Sequence, residues 1–138
     1  MTAPLLTGSC QCGHVRYEID APPQAMYHCH CSTCRAASGS GFATNILVAT
    51  ASFRVVLGST SLRGHASSPG KLRHFCGHCG SPIYSQGETT SDRVSVRAGT
   101  LHRDPGIRPG FHAYVDSKAP WVEIGDGLRQ FAQAPAGP

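Results

Sequence analysis

His28-Cys29-His30-Cys31-Ser32-Thr33-Cys34 places three thiols in the pattern C-x-C-x-x-C within seven residues. Two thiol pairs bracket it: Cys10-Gln11-Cys12 upstream, and Cys76-Gly77-His78-Cys79 downstream, the latter followed by Gly80. These are all seven cysteines of the chain. An odd count at such short spacings points to metal ligation in a reducing compartment rather than to a disulfide framework. Zinc holds thiolates at about 2.3 Å in a tetrahedron, closed by four protein ligands in a structural site and by three plus an exchangeable one in a catalytic site. Seven ligands divide as four plus three, so two zinc ions per chain are expected.

A single pair leaves zinc half-coordinated and needs a partner pair. Cys10/Cys12 with Cys76/Cys79 meets that need, and ties an early strand to a hairpin far along the chain, adding order that a small β core would otherwise lack. The trio Cys29, Cys31 and Cys34 has two readings. His28 or His30 closes it as a second structural site, or it stays open for chemistry. His30 lies between two ligands and would have to fold back sharply to join them, so coordination favours the open site, with His28 and His30 supporting the ligands or lying at the surface. The histidines at 14, 65, 74, 78, 102 and 112 have no ligand-like spacing and read as bystanders. Three thiolates on a divalent zinc carry −1, which blunts Lewis acidity and weakens metal-hydroxide hydrolysis. A soft thiol from solution suits such a position and stays nucleophilic there.

The rest of the composition fits a loop-rich, mainly β protein. Of 138 residues, 26 are Gly or Pro and only 14% are charged, a poor basis for sustained helical patterns. The length suits a single domain over 1–138. The formal charge of +4 counts cysteines as neutral; seven thiolates and two zinc ions bring it to +4 − 7 + 4 = +1, and the basic residues form no run, which argues against nucleic acid. No stretch approaches the ~20 apolar residues of a membrane span, and the first residues lack the features of an export signal. A cytoplasmic protein is expected.

Along the chain, 1–7 and 132–138 read as frayed tails. Residues 14–19 alternate as a strand, 34–38 form one helical turn capped by Ser32 or Thr33 and stopped by Gly39, and 42–48 with 52–57 suggest a hairpin. Residues 59–70 are polar and irregular. Strands at 72–75 and 83–85 flank the second thiol pair, Arg93-Val94-Ser95-Val96-Arg97 alternates cleanly, and 111–115 is a last strand, after which a turn at 116–121 buries Trp121.

The motifs Gly8-Ser9-Cys10-Gln11-Cys12-Gly13, His28 to Arg35, Ser38-Gly39-Ser40 before Phe42-Ala43, Arg73-His74-Phe75-Cys76-Gly77-His78-Cys79-Gly80-Ser81-Pro82, and Asp116-Ser117-Lys118-Ala119-Pro120-Trp121 together resemble the glutathione-dependent formaldehyde-activating enzymes, also called the Gfa or centromere protein V-like family, of the Mss4-like fold. The resemblance runs from Gly8 to about Phe131. It implies antiparallel sheets meeting like a tent with zinc-bearing hairpins and at most one or two very short helices. It also implies a structural zinc on Cys10, Cys12, Cys76 and Cys79, and a catalytic zinc on Cys29, Cys31 and Cys34. The family's reaction joins formaldehyde to glutathione as S-hydroxymethylglutathione, a carbon–sulfur lyase reaction in reverse. The implied substrates are therefore a small thiol such as glutathione and a small aldehyde. Arg35 would offset charge or hold a carboxylate, with Ser38, Phe42 and Trp121 near the pocket. The rival from another class is a non-catalytic, zinc-stabilised protein-interaction module of the same fold, in which a side chain closes the second site.

Overall fold

A computed structural model describes residues 4–135. The outermost parts of the two expected tails, 1–3 and 136–138, lie outside the described residues. Eleven strands and one α-helix follow in order: β1 Leu6–Ser9, β2 Arg16–Ile19, β3 Ala25–Cys29, α1 Ser32–Ser38, β4 Ala43–Ala49, β5 Phe53–Leu57, β6 Leu62–Ser68, β7 Lys71–Cys76, β8 Pro82–Gly87, β9 Arg93–Arg97, β10 Phe111–Ala113 and β11 Arg129–Gln130. The mainly β expectation holds. Three strands form one sheet in the order β1-β2-β5, and eight form the other in the order β11-β10-β3-β4-β9-β8-β7-β6.

Period-two patterning explains the core. In β9 the two valines point inward while Ser95 points away, and in β4 Ile46 and Val48 do the same beside Asn45. These four side chains pack with Leu6, Tyr17, Ile19 and Ile83 from the neighbouring strands, and the thiols of Cys10 and Cys76 complete the cluster. Two ligands of the expected structural site are thus part of the core between the sheets.

Several expectations are corrected. The first tail ends before Leu6, which is buried because β1 pairs with β2 from Leu6↔Ile19 onward; at the other end, Ala132 and Gln133 accept backbone bonds from Asp116 and Tyr114. β4 and β5 are not a hairpin: a single 3-10 turn at Thr50–Ser52 carries the chain from the large sheet to the small one. The polar stretch 59–70 contains β6, an edge strand whose exposed residues need no apolar alternation. β10 pairs in parallel with β3 and with β11, so the large sheet is mixed. Trp121 is 72% exposed. Its turn buries Ala119 instead and lays Val122 against Gly41, leaving the indole outside.

Helix α1 also starts two residues earlier than expected, at Ser32 rather than Cys34. Cys31 is its N-cap, with Sγ accepting the Cys34 N–H at 3.3 Å. Gly39 ends the helix in the left-handed region at φ 63°, where the Gly39 N–H reaches the Arg35 carbonyl.

Candidate metal and thiol site

The β1–β2 turn and the β7–β8 turn bring Cys10, Cys12, Cys76 and Cys79 together, with all four sulfurs within 4.8 Å of one another. Cys10 Sγ and Cys12 Sγ are 3.5 Å apart, and Cys12 Sγ and Cys76 Sγ 3.7 Å. A tetrahedron of zinc–sulfur bonds has edges of about 3.8 Å, so the donor set fits the ion. Backbone amides already face the sulfurs: Val15 N–H donates to Cys10 Sγ at 3.2 Å and His78 N–H to Cys76 Sγ at 3.4 Å. Hydrogen bonds from the Ser81 hydroxyl and amide pull the Cys79 thiol down to about 5, favouring the thiolate that a metal requires. His14 packs face to face on His78, with its Nδ1 3.1 Å from Cys12 Sγ.

Cys29 closes β3, Cys31 caps α1 and Cys34 lies in its first turn, and these three sulfurs also fall within 4.8 Å of one another. Among the described residues no fourth His, Cys, Asp or Glu joins them. Hydrogen bonding from Cys29 and Cys34, with the Thr33 hydroxyl at 3.1 Å, drives the Cys31 thiol strongly down, while the same contact with Cys31 drives Cys29 strongly up. Tyr27 and Tyr114 pack against the trio. Tyr114 is the only non-glycine residue with positive φ among the described residues, at 59°, a strained conformation of the kind found at functional sites.

The charge beside the trio comes from Arg73 of β7. Its Nη2 lies 3.6 Å from Cys34 Sγ and 3.2 Å from Thr33 Oγ1, and its Nε donates to Ser67 Oγ at 2.9 Å. The sequence reading looked to Arg35 for this role. A signal was present, since Arg73 sits in a strand leading directly to a thiol pair. Ser38 does not reach the sulfurs; its hydroxyl bonds the Cys34 carbonyl at 2.8 Å.

His28 and His30 point away from the trio. His28 Nδ1 is 2.8 Å from Thr44 Oγ1, and His30 Nε2 is 2.8 Å from His112 Nδ1, with Phe42 packed among the three rings. His30 is fully buried rather than superficial, and burial holds its imidazole down to about 4. His112, read from sequence as a bystander, is the centre of this cluster and pairs through Nε2 with Asp126 at 2.8 Å. His28, His112 and Asp126 bring ligand atoms within 4.8 Å of one another.

A mainly β protein with a four-thiol cluster anchored in its core through Cys10 and Cys76 and a three-thiol cluster at a strand–helix junction is the class that the fold and the thiols define. Comparisons with known proteins narrow it. The sequence profile described as glutathione-dependent formaldehyde-activating enzyme matches residues 5–117, and the chain belongs to that family. A Halomonas elongata protein named "Putative glutathione-dependent formaldehyde-activating enzyme" is 33% identical over 129 residues, covering 87% of this chain and 81% of its own. A Rhodobacter sphaeroides protein of known crystal structure shares the fold, with TM-score 0.59 and 24% identity over 75% of this chain and 91% of the other.

Proposed function

We propose that this protein is a carbon–sulfur lyase that adds a small thiol such as glutathione to a small aldehyde such as formaldehyde, or cleaves the adduct. Membership of the family supports the substrates. The observation that carries the reading is the difference between the two clusters. Four thiols make a closed site, whereas the trio has three and, among the described residues, no fourth donor of its kind. The protein-interaction alternative expects His28, His30 or another side chain to close the trio; His28 and His30 instead bond Thr44 and His112.

Cys29, Cys31 and Cys34 would hold the second zinc, and Cys10, Cys12, Cys76 and Cys79 the first. A zinc held there would supply a soft position that favours the deprotonated, still nucleophilic form of a thiol. Arg73 offsets the negative charge of the thiolates, and Tyr27 and Tyr114 shield the sulfurs from water. In the addition the carbon–sulfur bond forms as the carbonyl π bond opens, and the thiol proton ends on the new hydroxyl; the reverse reaction returns both. All seven cysteines are free thiols, which suits a reducing compartment such as the cytoplasm. Among the described residues no helix is long and apolar enough to cross a membrane.

The test is exchange spectroscopy of glutathione with formaldehyde in the presence of zinc-loaded protein. Transfer between free and hydroxymethylated glutathione should exceed the spontaneous rate and vanish in Cys34→Ser. A rate equal to the spontaneous one would remove the named activity.

A further inference from the structure

Two buried arginines that share one pocket, Arg73 beside the trio and Arg97 beyond it, have no carboxylate to answer them. Arg73 and Arg97 are only 9% and 7% exposed. Both line a pocket of about 200 Å³, together with Ala37 of α1, Phe75 and Pro82. The ion pairs among the described residues involve Arg54, Arg108 and His112 instead. Arg73 Nη1 is buried without any hydrogen-bond partner, and Arg97 Nη1 donates to the neutral Asn45 Oδ1. Burying a guanidinium without a counter-charge is costly, so a cation kept in this state calls for an anion from elsewhere.

Charge counting gives the size of that need. Three thiolates and one divalent metal leave −1 at the trio, which Arg73 answers through its contact with Cys34 Sγ. Arg97, on the far side of the pocket, donates only to the neutral Asn45 Oδ1 and has no anionic partner of its own, a place that one carboxylate would fill. The geometry points to a substrate thiol that carries a carboxylate a few bonds from its sulfur, clamped by Arg73 and Arg97 while the sulfur occupies the trio. Arg73 spans both halves of this arrangement, since the guanidinium that lines the pocket is 3.6 Å from Cys34 Sγ. The volume lies below the roughly 300 Å³ at which ordinary ligand clefts begin, which favours a short acid over a bulky one. Planar guanidinium forks recognise carboxylates in two-point contacts that an alcohol cannot reproduce. The assignment rests on the reading of Cys29, Cys31 and Cys34 as the thiol-binding site, and it makes Arg73 and Arg97 the residues that determine specificity.

Cobalt-substituted protein titrated with mercaptoacetate and with mercaptoethanol tests it. Mercaptoacetate should perturb the sulfur-to-cobalt absorption at a concentration about 10- to 100-fold lower, the range expected for a charge-assisted contact. Arg97→Gln should abolish that preference and Arg97→Lys restore part of it. In unsubstituted zinc protein, the Nε–H resonances of Arg73 and Arg97 should move on addition of acetate and not of ethanol, a readout that needs no variant to fold. If both thiols bind equally, or acetate leaves the arginine signals in place, the carboxylate site is overturned while the thiol reading stands. If neither thiol perturbs the cobalt absorption, the thiol reading fails and the assignment falls with it.

Discussion

Cys76→Ser and Cys34→Ser should fail to different degrees, because the clusters close loops of different length. Cys12 and Cys76 stand 64 positions apart, and they join the turn of the small sheet to a hairpin of the large one. Cys29 and Cys34 stand five positions apart. Treating each metal as a cross-link, with a loop-closure entropy of about 2.1 + 1.5R ln n cal/mol/K, gives about 4 kcal/mol for the long span and about 2 kcal/mol for the short one. Total stability is ~5–15 kcal/mol, and each kcal/mol is worth roughly 3–5 °C in a chain of this size. Cys76→Ser should therefore lower the melting temperature by roughly 10–20 °C or leave the protein insoluble. Cys34→Ser should cost about half as much, keep the fold and lose turnover. Melting followed by far-ultraviolet circular dichroism, with native mass spectrometry to count zinc, measures both effects. Equal destabilisation would refute the division into a scaffold site and a working site.

Three further outcomes follow from particular residues. Burial holds His30 down to about 4, below its unfolded value of about 6.5; its contribution to stability is complete above pH 6.5 and is lost as pH falls through 4. Melting of His30→Phe in excess zinc should accordingly show a flatter acid limb than the parent protein, and identical profiles would exclude His30 as the source. Gly58 adopts φ 78° with its Cα hydrogen facing the His14 carbonyl, so Gly58→Ala should destabilise by about 1–3 kcal/mol in chemical denaturation; a neutral result would mean that the turn opens freely. Trp121, being 72% exposed, should emit at water-like wavelengths and be quenched efficiently by acrylamide in the native protein, whereas a blue-shifted, protected signal would restore it to the core.

The features legible in the sequence were those set by local chemistry. Thiol spacing named both clusters, the Arg93–Arg97 alternation named β9, and Gly39 named the end of α1. What escaped depends on partners distant in the chain. The edge strand β6 has no apolar pattern because β7 alone supplies its ladder. β5 could not be separated from β4 by pattern, since both are apolar strands and only the sheet assignment distinguishes a hairpin from a crossover. The turn at 116–121 was expected to bury Trp121, but it is Ala119 that the turn buries, with Val122 against Gly41. His112 and Asp126 gain their relation to His30 from the parallel pairing of β10 with β3, and no spacing rule carries that information.

The pleat of β3 weighs against histidine closure of the trio. Successive residues of a strand face opposite sides, so Cys29 and His28 cannot serve one metal from the same strand without breaking its pairing. Cys29 faces Ala43, its partner in register, on the side of the trio, and His28 meets Thr44 on the other. His30, one residue past the strand, keeps the side of His28 because its amide bonds the Ala113 carbonyl and continues the ladder with β10. The chain changes direction only at Cys31, where the cap of α1 brings Cys31 and Cys34 back toward Cys29. The same seven residues thus send three thiols to one side and two imidazoles to the other. The buried cation that follows the thiols, Arg73, arrives from β7 on the thiol side, so a ligand entering there meets sulfur and guanidinium, with His65 and His74 on the pocket wall and the His28, His30 and His112 cluster on the other face of β3.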